Sequence, residues 1–289
     1  MSAESLEGTI TWRELWAETT TLIGDRAHAR WLCEVASGSV DGDEFLARLD
    51  EQATVRMVGH LDAMTARLRS GEPLQYVLGE WSFRRITLAI DRRVLIPRPE
   101  TELVAEVALA KAAAVGPTRL VADLGTGSGA IGLSIAHELP LDGTMVWITD
   151  TSHDALDVAR ANIAGLGRVG VNVRVAHGSW FDALPDDLVF DVVVSNPPYV
   201  AVGSADLEPG VDDWEPHAAL FSGPDGLDDI RRIIADAPTR LRPGGWLVLE
   251  IGADQGAAVA KLLSSADLVD VEIRQDLAGL DRIALGRRP

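Results

Sequence analysis

Residues 121–130 read VADLGTGSGA, an apolar stretch that runs into three closely spaced glycines. The apolar residues before Gly125 indicate a buried strand, and the residues from Ala130 onward are typical of a helix. Glycines allow the chain to turn tightly between the two and let a ligand approach the backbone closely. The stretch therefore predicts a strand, a glycine turn and a helix that together bind an adenosine-type ligand.

The alternation of strand and helix continues along the chain. Strands are predicted at residues 119–124, 145–149, 171–176, 190–195 and 246–251, with helical stretches between them. Two further strands, at 269–275 and 282–286, lie close together and predict an antiparallel hairpin at the sheet edge. Strands that alternate with helices imply a parallel, doubly wound sheet, whose ligands bind beyond the carboxyl ends of the strands. The predicted fold class is α/β, with a Rossmann-like, mostly parallel sheet of seven strands.

The first 75 residues have a different pattern, in which apolar residues recur at helical spacing. Thr11 and Glu14 have the spacing of a capping box, and Asp25 can cap a second helix. These amphipathic helices predict a small helical bundle. Residues 76–83 and 86–95 then predict the two strands of a β-hairpin. We expect a helical domain at 1–75, a hairpin linker at 76–100 and a second domain at 101–289.

The composition limits the class of protein. The chain of 289 residues has a net charge of −18 and one cysteine, Cys33. This charge argues against holding nucleic acid by its phosphates and favours a basic protein partner or simple solubility. One cysteine excludes an intrachain disulfide, and the histidines do not cluster as metal ligands would. Residues 1–10 lack the features of a signal peptide, and no apolar run approaches the ~20 residues of a membrane span. We expect a cytoplasmic protein with no bound metal.

The glycine turn fits two kinds of ligand. Gly125, Gly127 and Ala130 satisfy the dinucleotide pattern G-x-G-x-x-G/A, whereas Asp123 with the glycines after it resembles the first motif of S-adenosylmethionine-dependent methyltransferases. Asp150 ends the second strand, where a carboxylate can accept both hydroxyls of a ribose. A packing turn followed by a helix-capping aspartate is the purely structural alternative.

A second polar turn follows the third strand of the predicted sheet, with the sequence HGSWF at residues 177–181. Its aromatic residues either pack into the core or offer a flat side chain that stacks against an adenine. The pattern by itself leaves both interpretations open.

The fourth strand ends in NPPY, residues 196–199. Two prolines restrict the backbone and remove two N–H donors, which leaves the Asn196 amide, outward-pointing carbonyls and the Tyr199 ring. A rigid turn with a capping asparagine is the structural alternative. The functional interpretation is that the Asn196 oxygen and the Pro197 carbonyl each accept one hydrogen of a planar NH2 group, while Tyr199 lies against it.

Such a ledge, residues 196–199, has a chemical use. An amide or exocyclic amine is a poor nucleophile, because its lone pair is delocalised. Two acceptors fix the nitrogen in position and favour the positive charge that develops on it during attack. With an adenosyl ligand beside it, the electrophile is the methyl carbon of a sulfonium, and the reaction is methyl transfer. NAD chemistry has no use for this arrangement.

From residue 121 to 288 the chain resembles class I methyltransferases of the amino-group type, whose signature is (D/N)PP(Y/F). Three more stretches add to this resemblance: EPLQYVLG at 72–79, IPRPETE at 96–102, and EPHAALF at 215–221. Together they resemble the peptide chain release factor N5-glutamine methyltransferases, the PrmC/HemK family, over nearly the whole chain.

The resemblance implies a function and a site. It implies methyl transfer from S-adenosylmethionine, with S-adenosylhomocysteine as product, to the glutamine of the GGQ loop in bacterial release factors 1 and 2. We expect the helical domain and the hairpin to dock this substrate. We also expect a monomer, since no seam for self-association is evident in the sequence. The implied contacts to S-adenosylmethionine are Gly125, Thr126, Gly127, Ser128, Gly129, Asp150, Trp180 and Asn196. The implied contacts to the glutamine amide, and the catalytic residues, come from Asn196, Pro197, Pro198 and Tyr199. His217 stands where an arginine is more usual, so we assign that position no role.

Three alternatives stay open. A ribosomal-protein glutamine methyltransferase has the same ledge, although residues 96–102 argue against it. An adenine-N6 nucleic-acid methyltransferase is chemically permitted, but the acidic charge and the lack of a basic recognition domain disfavour it. A pure binding module with a vestigial adenosyl site conflicts with the intact glycine loop, Asp150 and Asn196.

Overall fold

The structure is a computed structural model that describes residues 10–204 and 211–289, so most of the polar segment predicted at 1–10 lies outside the described residues. The chain forms two compact units that divide between Glu80 and Trp81. The helices are α1 Trp12–Ile23, α2 Arg26–Ser37, α3 Gly42–Ala47, α4 Val55–Arg69, α5 Leu74–Leu78, α6 Pro99–Ala114, α7 Ala130–Glu138, α8 His153–Gly165, α9 Val211–Trp214, α10 Asp228–Arg240 and α11 Gly256–Ser265. The strands are β1 Glu80–Phe83, β2 Ile86–Ala89, β3 Arg119–Leu124, β4 Thr144–Asp150, β5 Val173–His177, β6 Phe190–Ser195, β7 Leu241–Glu250, β8 Val269–Gln275 and β9 Asp281–Arg287.

The first unit is the expected helical bundle. The capping box forms at α1, where the Thr11 hydroxyl accepts from the Glu14 N–H and the Glu14 carboxylate accepts from the Thr11 N–H. Asp25 caps α2 as predicted, by accepting from two backbone N–H groups in its first turn. The apolar faces of the helices close on one core, in which Trp12 and Phe45 pack edge to face.

The strand predicted at 76–83 is wrong in its first half, because α5 occupies that part of the chain. Pro73 precedes the first residue of α5, and Gly79 ends it in the left-handed conformation with φ 79°. Tyr76 and Val77 favour strands by type, yet both are buried in this single helical turn. The proline before this helix and the glycine after it are typical of a helix start and stop, and they outweigh the strand preference of the residues between them.

The second unit contains a seven-stranded sheet in the order β5-β4-β3-β6-β7-β9-β8. Strands β3 to β7 run parallel, and β8 and β9 add an antiparallel pair at one edge. The predicted α/β class, the doubly wound order and the edge hairpin are therefore confirmed. The order places the ends of β3 and β6 side by side, because the chain returns to the centre of the sheet after β5.

Three of the seven strands predicted for the sheet have the predicted limits, whereas β7 begins at Leu241 instead of the predicted residue 246. The strands β3, β6 and β8 have the predicted limits, and every residue of β6 is buried. The hairpin is shorter than predicted, since its second strand covers only Ile86–Ala89 and not the whole of 86–95. The strand predicted at 171–176 begins later, at Val173, because a 3-10 helix occupies Gly167–Asn172.

Within the described residues, no helix is long and apolar enough to cross a membrane.

Candidate active site

A cavity of about 260 Å³ lies beyond the carboxyl ends of the parallel strands in the second unit. The turns after β3, β4, β5 and β6 each contribute to its wall, as expected for a doubly wound sheet. Its lining consists of Arg93, Val94, Leu95, Gly125, Gly127, Asp150, Thr151, Ser152, Ala155, Gly178, Ser179, Trp180, Asn196, Pro198, Pro216, Ala218, Ala219 and Asp229.

The glycine loop has the backbone that only glycine adopts freely. Gly125, Gly127 and Gly129 have φ values of 68°, 54° and 91°. A Cβ atom at Gly125 would lie 2.9 Å from the ring of Trp180, whereas one at Gly127 would meet no atom within 4 Å. The Trp180 ring therefore packs against the loop at Gly125, whereas the loop is open to the cavity at Gly127.

Asp123, the last but one residue of β3, holds this loop from beneath. One oxygen of its carboxyl group accepts from the Thr126 hydroxyl at 2.6 Å and from the Gly132 N–H at 2.9 Å. Burial raises the pKa of Asp123 to about 6, and the hydrogen bonds from Thr126 and Gly132 oppose that rise. The side chain of Thr126 is thus turned inward, and Thr126 is not part of the cavity lining.

Asp150 ends β4 at the wall of the cavity. Its two oxygens accept from the Gly127 N–H at 3.0 Å and from the Ser152 N–H at 2.9 Å. The carboxylate therefore couples the glycine loop to the start of α8. Each carboxylate oxygen can accept a second hydrogen bond, so Asp150 also suits a ligand with two adjacent hydroxyls.

Trp180 belongs to the turn after β5 and has a left-handed backbone, with φ 48°. The indole N–H donates to Asp229 at 3.2 Å, and the other oxygen of Asp229 accepts from the Ser222 hydroxyl at 2.7 Å. Trp180 packs against the core, as the first interpretation of this turn predicts, and it also lines the cavity. Stacking against an adenine stays a prediction.

Asn162 on α8 anchors the glycine loop, and the sequence reasoning missed it. Its amide donates to the Ser128 carbonyl at 2.8 Å and exchanges two hydrogen bonds with the backbone of Ala89 in β2. Ser128 itself is buried, so its side chain does not reach the cavity wall. A lone polar residue on the inward face of a helix was the available signal.

The NPPY turn presents part of itself to the cavity. Asn196 and Pro198 line the wall, whereas Pro197 is buried. The Tyr199 carbonyl accepts from Gln255 at 3.0 Å, and a Cβ atom at Gly226 would lie only 2.2 Å from that carbonyl oxygen. These contacts hold the ledge from its outer side.

The ledge continues into a buried chain of hydrogen bonds. Asn196 Nδ2 donates to Thr101 Oγ1 at 3.2 Å, and the Thr101 hydroxyl donates to Glu250 Oε2 at 2.7 Å. The Tyr199 hydroxyl donates to the other oxygen, Glu250 Oε1, at 3.3 Å. Burial raises the pKa of Glu250 to about 7, while the bond from Thr101 opposes the rise. Burial also raises the pKa of Tyr199. Glu250 was not predicted, although a lone carboxylate at the end of an apolar strand is visible in the sequence.

Two of the three other sequence motifs, IPRPETE and EPHAALF, meet at Glu215. This buried carboxylate accepts from the Ile96 N–H at 3.0 Å and forms an ion pair with Arg98. The segment that follows, Leu220 to Ser222, pairs with the backbone of Val200 just after the ledge. His217 is not part of the cavity wall; its ring lies 5.8 Å from that of Phe221.

The structure thus brings six predicted residues to one wall: Gly125, Gly127, Asp150, Trp180, Asn196 and Pro198. Thr126, Ser128, Gly129, Pro197 and Tyr199 are adjacent to that wall in sequence and lie outside the lining. In the part of the chain that the structure describes, no group of three metal-ligating side chains could hold a metal ion.

Comparison with known proteins matches both units. A family model described as Methyltransferase small domain matches residues 101–208, and one described as PrmC N-terminal domain matches residues 24–79. A release factor glutamine methyltransferase from Xylella fastidiosa is 47% identical over 227 residues, which are 78% of this chain and 80% of that relative. One from Gloeobacter violaceus is 40% identical over 281 residues, which are 95% of each chain.

A solved structure supports the fold. The crystal structure of a methyltransferase from Pyrococcus furiosus aligns with 78% of this chain and 98% of its own, with a TM-score of 0.52 and 15% identity. At 15% identity this likeness shows the fold alone. The two relatives are far more similar, at 47% and 40% identity, and their alignments cover most of the chain. The chain therefore belongs to the family of release factor glutamine methyltransferases.

Proposed function

We propose that this chain transfers a methyl group from S-adenosylmethionine to the side-chain amide nitrogen (N5) of the glutamine in the GGQ motif of release factors 1 and 2. The observation that carries the proposal is the position of Asn196, whose amide stands in the same cavity wall as the glycine loop and Asp150. Membership of the family supports a glutamine side chain in a release factor as the acceptor.

The residues of the cavity suit an adenosyl ligand. The backbone of Gly127 faces open space, the Asp150 carboxylate has free acceptor capacity, and Trp180 offers an indole beside the loop. We propose that Gly125 to Gly129, Asp150, Trp180 and Asn196 hold S-adenosylmethionine. When bound, this molecule supplies an electrophilic methyl carbon.

The ledge acts on the acceptor. We propose that Asn196 Oδ1 and the Pro197 carbonyl each accept one hydrogen of the glutamine NH2 group. Pro198 restricts the backbone of the turn, and the Tyr199 ring lies against the planar amide. Two fixed acceptors orient the nitrogen and stabilise the positive charge that grows on it during attack. A methylated amide nitrogen loses its extra proton readily to water, so no side chain has to act as a general base.

Incubation with labelled S-adenosylmethionine tests this function directly. Release factor, ribosomal protein and DNA should be offered side by side, and we expect label only on the release factor. A release factor with its GGQ glutamine replaced by glutamate should accept no methyl group, because it presents no NH2. Methylation of that variant at the loop, or label on ribosomal protein or DNA instead, would contradict the proposal.

We further propose that the helical unit docks the release factor, and that the enzyme works in the cytoplasm as a monomer, independently of nucleic acid and membranes. The family model for the N-terminal domain supports a dedicated role for this unit. A chain that begins at Trp81 should bind S-adenosylmethionine as the full chain does, because the cavity lining lies wholly beyond that point. It should methylate intact release factor slowly. Methylation at the full rate would assign the helical unit some other role.

A further inference from the structure

Two buried polar residues stand behind the ledge. Thr101 lies in the first turn of α6, and Glu250 is the last residue of β7; they are 3% and 1% exposed. Neither lines the cavity, so neither is placed to touch a ligand in it. Burial of a carboxyl group costs free energy unless hydrogen bonds compensate it, which makes this pair a candidate for a functional role.

The direction of the hydrogen bonds follows from the number of protons. A threonine hydroxyl has one hydrogen to donate, and here it points to Glu250 Oε2, 2.7 Å away. Thr101 Oγ1 can then only accept from its other neighbour. That neighbour is Asn196 Nδ2, at 3.2 Å, because the amide nitrogen has hydrogens to give and the amide oxygen has none.

The same carboxylate holds the other end of the ledge. Glu250 Oε1 accepts from the Tyr199 hydroxyl at 3.3 Å, so one buried group contacts both Tyr199 and, through Thr101, Asn196. Residue 250 lies directly beyond Leu249, which pairs with Ser195 across the sheet, and this register explains why the carboxylate reaches the ledge.

We propose that Thr101 and Glu250 are positioning residues, which fix the Asn196 amide with its nitrogen turned to Thr101 and its oxygen turned to the acceptor glutamine. This inference rests on the proposed function for the identity of the acceptor. The hydrogen bonds from Asn196 to Thr101 and from Thr101 to Glu250 are called the relay below. Without the relay, the Asn196 amide could rotate and present its NH2 to the incoming NH2 group, where two donors would face each other.

The relay depends on the ionisation of Glu250. The groups that face it are Thr101 and Glu100 on α6, Tyr199 on the ledge and Arg282 on β9. Burial and Glu100 raise the pKa of Glu250, and Thr101, Arg282 and Tyr199 lower it, with a net value of about 7. A protonated Glu250 can itself donate to Thr101, which frees the threonine hydrogen to turn to Asn196. The orienting effect therefore becomes complete only well above pH 7, and it is lost as the pH falls through about 7.

Single-turnover methylation of release factor is the first test. With S-adenosylmethionine and release factor both saturating, Thr101→Val should lower the rate constant by about 10-fold, the scale of one well-placed hydrogen bond. Thr101→Ser keeps the hydroxyl and should stay close to the wild-type rate. Equal losses in both variants, or no loss in Thr101→Val, would overturn the proposal.

The pH profile separates orientation from packing. In the wild type the rate constant should fall below pH 7, and in Glu250→Gln it should be lower and flat across that range, since glutamine does not ionise. Glu100→Gln should keep the acid limb and move its midpoint to lower pH, because Glu100 raises the pKa of Glu250. An unchanged acid limb in Glu250→Gln would exclude the relay. The comparison of the wild type with Glu250→Gln therefore tests the relay even if Thr101→Val does not fold.

A second readout needs no substrate. The side-chain NH2 signals of Asn196 in a nitrogen–proton NMR spectrum can be assigned by their loss in Asn196→Ala. They should titrate with a midpoint near pH 7 in the wild type and not in Glu250→Gln. If these signals titrate but the wild type methylates no glutamine, the relay stands and the proposed function fails. If glutamine is methylated and the signals do not titrate, the relay fails alone.

Discussion

Asn196→Ala should lower the turnover number for release factor methylation by about 10²–10³-fold, the scale for loss of one preorganised electrostatic contact in an active site. The side-chain oxygen that accepts from the glutamine NH2 would be gone, so the nitrogen would be neither fixed nor stabilised as it becomes positive. The partner of Asn196, Thr101, would keep its bond to Glu250, so we expect the fold to survive. Steady-state assays with saturating S-adenosylmethionine measure the effect.

Asn196→Asp is the matched variant. It keeps an oxygen toward the acceptor, but it loses the Nδ2 donor to Thr101 and adds a charge close to the buried Glu250. We therefore expect partial activity, above that of Asn196→Ala and below that of the wild type. Calorimetry should first establish that both variants bind S-adenosylmethionine. A normal turnover number in Asn196→Ala would show that the ledge does not polarise the acceptor.

Asp150→Ala should weaken binding of S-adenosylmethionine and S-adenosylhomocysteine by about 100-fold. Loss of charge-assisted hydrogen bonds to two ribose hydroxyls accounts for an effect of that size. The wild type should bind both molecules with a Kd in the low micromolar range, roughly −8 kcal/mol, and should not bind NAD. Isothermal titration calorimetry with the three ligands measures this.

A control variant is needed because Asp150 also forms hydrogen bonds within the protein. Its carboxylate also accepts from the Gly127 and Ser152 N–H groups, so part of the loss could come from a loosened loop. Asp150→Asn keeps an acceptor for one of these bonds and removes the charge, and it should fall between Asp150→Ala and the wild type. Asp154→Ala removes an exposed carboxylate on the following helix and should change neither affinity. Unchanged binding in Asp150→Ala, or tight binding of NAD by the wild type, would reject the assignment of the cavity.

Most of the fold was predictable because its signals are local. The strands β3 and β6 are short apolar runs bounded by polar turns, and their limits follow directly from that pattern. The capping box at Thr11 and the cap at Asp25 depend on residues two or three positions apart. Prediction failed at α5, where residue types that favour strands are overruled by the proline and glycine at its two ends.

The part of the site that could be predicted also rests on local sequence patterns. The glycines of the loop, Asp150 and Asn196 each follow the end of a predicted strand, and parallel strands bring their carboxyl ends to one edge of the sheet. A strand pattern with the turn that follows it was therefore enough to predict that these residues meet. The chemistry of the NPPY turn follows in the same way, from two prolines that restrict the backbone and expose acceptors.

Only the tertiary structure decided what lies behind the ledge. Asn196 bonds to Thr101, which is 95 residues away in the chain, and Thr101 bonds to Glu250 across 149 residues. Glu215 reaches Ile96 over 119 residues. Such contacts depend on the order of the strands and on which helix covers them, and side-chain patterns within one strand or helix contain no information about either. The sequence by itself predicted that the glycine loop, Asp150 and Asn196 meet at one edge of the sheet. The packing of α6 on β6 and β7 determined which buried groups bond to Asn196.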